Sequence, residues 1–156
     1  MAGKTIAVLA VAVLAAGCAG VGVPTGGVST TGDVTVLEVE NFKLNKANVV
    51  ALDGASGGKA VVLVDEASEA GITIPMLKKG DYELIVHGLA PSYEEDAFLI
   101  TVGDLAEERL FISDINRVLP TAPLPFTQRK DGPCKVVLMF GEDNVKLDRI
   151  EIRPVK

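Results

Sequence analysis

Groups able to do covalent or proton chemistry are few in this chain. Its 156 residues include one histidine, His87, two cysteines, Cys18 and Cys134, and no tryptophan. A general base needs a nucleophile held beside it. His87 lies in an alternating apolar run, and neither Ser113 nor Cys134 belongs to a nucleophile motif. One histidine and two cysteines cannot supply the usual Cys/His ligand set of zinc. Carboxylates are plentiful, but Glu94-Glu95-Asp96 and Glu107-Glu108 each sit on one short segment. Glycoside hydrolysis needs two carboxyl groups on opposite sides of a bond, so these clusters predict solvated surface. Gly54 to Gly58 lacks the Lys-Ser/Thr pair of a phosphate loop. No catalytic constellation emerges, and the chain is not expected to be an enzyme. With 15 basic against 21 acidic residues and a net charge of −6, it suits neither nucleic acid nor an anionic lipid surface.

Cys18 has a different setting. Lys4 is followed by an unbroken run of Ile, Ala, Val and Leu from Ile6 to Ala16, then Gly17. This is the layout of a secretory signal peptide, residues 1–17, and the run is too short to span a bilayer, which takes about 20 residues. Leu14-Ala15-Ala16-Gly17-Cys18 resembles the lipobox of bacterial lipoproteins. That resemblance implies cleavage before Cys18 and acyl chains such as palmitate on the new terminus. Cys134 then has no partner for a disulfide, and a buried thiol is expected. Ala19 lacks the aspartate that holds many lipoproteins at an inner membrane, which points to the outer one. Loss of Lys4 makes the mature chain one charge more negative, −7. Residues 18–32, rich in Gly, Ser and Thr without charge, read as a lipidated cysteine and flexible tether of about 20 Å reach.

The rest, residues 33–156, is one domain. Short β-branched runs alternate with turn signals. Strand candidates are residues 34–40, 47–52, 59–64, 82–87, 97–102, 109–113, 134–140 and 145–152, with Ile72, Ile74 and Met76 alternating in a further run. Pro123 and Pro125 restrict residues 122–128 to an edge strand or loop. Residues 66–70 and 105–110 have the composition of short helical turns. So many half-buried strands at this spacing predict an all-β fold, an antiparallel two-sheet β-sandwich.

Three segments, in order, resemble the type 6 and type 35 carbohydrate-binding modules of the galactose-binding-like jelly roll group. Leu37-Glu38-Val39-Glu40-Asn41-Phe42 is similar to the family's opening strand. Gly80-Asp81-Tyr82-Glu83-Leu84-Ile85-Val86, followed by Leu99-Ile100-Thr101-Val102-Gly103, is similar to its Gly-x-Tyr-x-Leu-x-Val and Leu-x-Val-Gly strands. Leu147-Asp148-Arg149-Ile150-Glu151-Ile152 is similar to its closing strand, and Gly57-Gly58-Lys59-Ala60-Val61 to its Gly-Gly-x-x-Val segment. The resemblance implies a structural calcium ion held by Glu38, Glu40 and Asp148 with backbone carbonyls. Glu38 and Glu40, two apart on a strand, would face the same way. Hard carboxylate oxygens are what calcium takes.

The resemblance also implies a sugar site in the loops at one end of the sandwich, built on an aromatic platform. The match thins here: there is no tryptophan, His87 stands where the family often has Arg, and Lys146 where it often has Asn. Tyr93 is the one aromatic in a suitable loop. Candidate ligand contacts are Tyr93, His87, Asn144 and Lys146. The expected function is a lipid-anchored, non-catalytic binding module of the cell envelope, recognising a carbohydrate. The alternative is a structural lipoprotein that docks an envelope protein partner through the same sandwich.

Overall fold

The computed structural model describes residues 28–31 and 33–156. Its strands in chain order are β1 Val28–Thr31, β2 Val34–Glu38, β3 Lys43–Asn45, β4 Ala47–Ala51, β5 Lys59–Leu63, β6 Glu69–Leu77 and β7 Gly80–Leu89. β8 Ala97–Val102, β9 Glu108–Phe111, β10 Leu119–Pro120, β11 Leu124–Gln128, β12 Gly132–Met139 and β13 Lys146–Pro154 follow. All strand pairings are antiparallel. Two sheets form, one of eight strands and one of five in the order β3-β6-β12-β8-β9.

Period-two alternation explains the core. Leu84 and Val86 of β7 and Ile150 and Ile152 of β13 point inward from the first sheet. Phe98, Ile100 and Val102 of β8 and Val136 and Leu138 of β12 meet them from the second. Burying such side chains stabilises by about 1.5–3 kcal/mol each before chain entropy is counted. The predicted sandwich is the fold observed.

β13 is the central strand of the larger sheet. β7 runs along one edge for its whole length. On the other edge its neighbour changes: Lys146 and Leu147 pair with β5, while Arg149 to Ile152 pair with β2. The register against β7 also shifts between Leu147 and Arg149. Asp148 sits at that break, so its backbone leaves the regular ladder where two neighbouring strands meet.

Four local expectations are corrected. Val28–Thr31, read as tether, forms β1 by pairing its backbone with β2. Glu40 is not on a strand: β2 ends at Glu38, and Val39–Asn41 is a 3-10 turn that carries the chain from one sheet to the other. Residues 105–110 make no helical turn, because Glu108 already begins β9, which completes the sheet edge beside β8. Residues 66–70 make no helical turn: Glu66 and Ala67 form a tight turn, Glu69 already begins β6, and Ser68 Oγ accepts from the Val64 and Asp65 amides and donates to the Lys46 carbonyl.

Candidate functional site

The break at Asp148 gathers three segments: the end of β2, the 3-10 turn after it and the Ser56–Gly58 turn before β5. The Ser56 amide donates to Asp148 Oδ1 at 2.8 Å, and the Ser56 hydroxyl donates to Glu38 Oε1 at 2.9 Å. Gly57, at φ +64°, leaves Glu40 Oε1 just 3.5 Å from where a Cβ would stand. The turn is therefore the hub on which all three carboxylates converge. Ser56-Gly57-Gly58 before a strand signals a turn in the sequence, but nothing there marks Ser56 as the residue that joins the carboxylates.

The cradle is electrostatically incomplete. Asp148 is fully buried, and burial pushes its pKa up to about 6, with Glu38 and Glu40 adding to the rise. The Ser56 amide and the Arg149 guanidinium pull the other way. Glu38 Oε2 and Glu40 Oε2 are buried without a hydrogen-bond partner among the described residues. Buried acceptors without donors are costly, and a hard cation is the natural complement of such oxygens. Among the described residues, no three His, Cys, Asp or Glu side chains are grouped tightly enough to hold a metal alone. The donor chemistry thus fits calcium provided backbone oxygens of the turn complete the set. Arg149 Nη1 is 3.4 Å from Asp148 Oδ2, a partial counter-charge at the rim.

Tyr93 and Asn144 come together at this same end of the sandwich. Tyr93 is 68% exposed at the tip of the β7–β8 loop. That loop is clamped by the β12–β13 loop. Glu142 Oε2 accepts from the Asp96 and Ala97 amides at 2.7 and 2.9 Å, and Glu142 also pairs with Arg109. Asn144, in the left-handed region at φ +61°, donates to Glu95 Oε1 at 3.1 Å. At Gly141 a Cβ would lie 2.7 Å from Phe98 Cα, so only glycine lets the two loops approach this closely.

His87 and Lys146 lie on the strands beneath that loop pair, Lys146 at the start of β13 and His87 two residues before the end of β7. Lys146 opens β13 opposite Leu89 and Val62 and is half-buried. His87 lies on the outer face of the larger sheet, between Pro120 and Arg149. Its Nε2 is 2.9 Å from Glu151 Oε1, a contact that becomes a hydrogen bond with a proton on Nε2. Burial, then the Arg149 charge, hold the His87 pKa below its usual range against the pull of Glu151. Burial alone would push Glu151 up, but its partners Arg153, His87 and Arg149 outweigh it and hold that carboxyl below its usual range. Cys18 lies outside the described residues. Cys134 is buried, which raises its thiol pKa and keeps it protonated.

No protein-family model and no curated protein match this sequence. Solved structures do. A family 35 carbohydrate binding module from Clostridium thermocellum superposes with a TM-score of 0.65 at 13% identity, over 80% of this chain and 100% of that one. The GH26-CBM35 β-(1,4)-mannanase of Podospora anserina gives 0.69 at 15% identity, over 80% of this chain and 28% of that one. The exo-β-1,3-galactanase of Phanerochaete chrysosporium gives 0.66 at 18% identity, over 79% and 30%. The chain thus spans less than a third of the two enzymes it matches, but the whole length of the isolated module. The fold of this chain is therefore a jelly-roll sandwich like that of the family 35 carbohydrate binding modules.

Proposed function

We propose that this protein is a non-catalytic carbohydrate-binding module of the cell envelope, tied to a membrane through an acylated Cys18. One observation carries the reading: the match covers the whole of a solved family 35 carbohydrate binding module and 80% of this chain. The absence of any catalytic constellation in the sequence agrees with it. In this reading Tyr93, held on a rigid loop and open to solvent, stacks on a sugar ring. Asn144 fixes the loop from below. Glu38, Glu40 and Asp148 hold a calcium ion that ties β2, β13 and the Ser56–Gly58 turn together, and calcium here is structural. The anchor places the module at the outer membrane.

Among the described residues the exposed large apolar side chains, Val49, Val64, Met76, Tyr93, Phe111 and Val155, belong to different strands and loops. The test is affinity electrophoresis of the purified protein in gels containing soluble plant and bacterial polysaccharides. Retardation by at least one is expected; migration unaffected by every polysaccharide refutes carbohydrate binding. For the anchor, Cys18→Ala should move the protein from the membrane to the soluble fraction, and unchanged fractionation refutes it.

A further inference from the structure

A sheet ends in strands whose outer backbone groups have no ladder partner, and such an edge pairs with another chain unless something blocks it. Most edges of this sandwich are blocked. β10 and β11, beside β7, carry Pro120 and Pro125, and β9 opens with Glu108-Arg109. β3 is three residues long and starts at Lys43. β1 is uncharged but has only four residues. β4, which ends the larger sheet beyond β5, is Ala47-Asn48-Val49-Val50-Ala51. It has no charge, no proline and no break in its register with β5.

The ladder fixes which backbone groups β4 leaves free. The Leu52 amide donates to the Gly58 carbonyl at 3.0 Å, one step beyond the pair of Ala51 with Lys59. Antiparallel strands exchange bonds at alternate pairs, so Asn48 and Val50 turn their backbone groups to β5. The Lys46 carbonyl agrees with this phase, since it accepts from Ser68 just past the end of β5. The N–H and C=O groups of Ala47, Val49 and Ala51 therefore face away from β5. Among the described residues, no hydrogen bond outside the ladder reaches any of them.

The side chains of the same residues lie on the core side of the sheet. Ala47 stands opposite Leu63 and Val49 opposite Val61, and both partners are in the core. Yet Val49 is 47% exposed. The core layer thus runs out to the β4 edge and ends there on an uncovered apolar side chain.

We propose that β4 pairs with the β4 of a second copy of this chain, antiparallel about a two-fold axis through Val49. Val49 then exchanges both backbone bonds with the Val49 of the second copy, and Ala47 does so with Ala51. The core-side faces of the two copies meet at the axis. Lys46 precedes the strand and Asp53 follows it, so antiparallel pairing sets opposite charges together at both ends, where parallel pairing would set like beside like. The edge is complementary to itself, and the two larger sheets become one. The contact is small beside the roughly 800 Å² per partner of a stable complex, so association is weak and depends on concentration. It is independent of the carbohydrate reading.

The experiment is sedimentation velocity of the full chain from micromolar to millimolar concentration, where a monomer–dimer equilibrium is expected. Val49→Lys places two ammonium groups at the axis and should weaken dimerisation at least tenfold, while the dilute protein melts at the wild-type temperature. Cysteine variants read the register. They are made in Cys18→Ala, whose remaining thiol, Cys134, is buried. Val49→Cys should form an intermolecular disulfide under mild oxidation, because bonded partners across a ladder have Cα atoms about 5.5 Å apart, within disulfide range. Ala51→Cys, which faces Ala47 and not its own copy, should cross-link at least tenfold more slowly. Monomer at every concentration, undiminished dimer in Val49→Lys, or equal cross-linking by the two cysteines overturns the proposal.

Discussion

Two carboxylate-rich regions lie at one end of this sandwich, and they treat their charges in opposite ways. In the loop clamp, Glu142 meets two backbone amides and Arg109. In the cradle, Glu38 and Glu40 each keep a buried oxygen with no partner, and Asp148 is buried outright. The clamp is finished by the protein itself and works as a folding device. In the cradle, no group among the described residues donates to those two oxygens. Satisfaction of the polar groups, and not their number, separates structure from site.

The largest effect that could break this contrast is the pH dependence of Asp148. Its folded pKa, about 6, lies above the ordinary value near 4. The folded state therefore holds this proton more tightly than the unfolded one. Its contribution to stability is greatest below pH 4, is lost as pH rises to about 6, and is flat beyond. The loss is about 3 kcal/mol. Metal-free Asp148→Asn should melt higher than wild type at pH 8 and lack this slope; superimposable melting–pH curves for the two proteins would remove the strain assigned to the cradle.

Calcium should reverse that strain. At a hundredfold excess over its Kd it should stabilise the wild type by about 2.7 kcal/mol, seen as a raised melting temperature that chelator abolishes. Glu38→Gln with Glu40→Gln should erase the response, and an equal rise in the double variant would locate the ion elsewhere. Glu142→Ala should cost about 2 kcal/mol by stranding the Asp96 and Ala97 amides. That loss should be the same with and without calcium, and a calcium-dependent loss would mean the two regions are one. Smallest of all, Arg109→Met should cost under about 1 kcal/mol in a chemical-denaturation curve, because the Arg109–Glu142 pair is largely exposed.

The strands that alternate strongly were legible from the chain alone: Tyr82, Leu84 and Val86 share a face as their spacing predicts. β1 was not, because its Val-Ser-Thr-Thr sequence carries no apolar face and its place comes from backbone pairing with β2. Glu40 was misplaced on a strand because sequence does not record where a chain leaves one sheet for the other. Glu38 and Asp148 were singled out by likeness to a family motif, while Ser56, the residue that joins them, carried no such mark.

The β1–β2 hairpin also decides at which pole of the molecule the tether joins. It brings the chain into the domain at Val28, alongside Leu37 and hence beside the cradle. Ten steps of chain separate Cys18 from Val28, a leash that spans at most about 35 Å when fully drawn out. β7, at ten residues, is itself about 33 Å long. With the anchor proposed at Cys18, the leash fully drawn out is about as long as the body it holds. The tether joins the domain at the pole of the cradle, opposite the one bearing Asp81 and Val155.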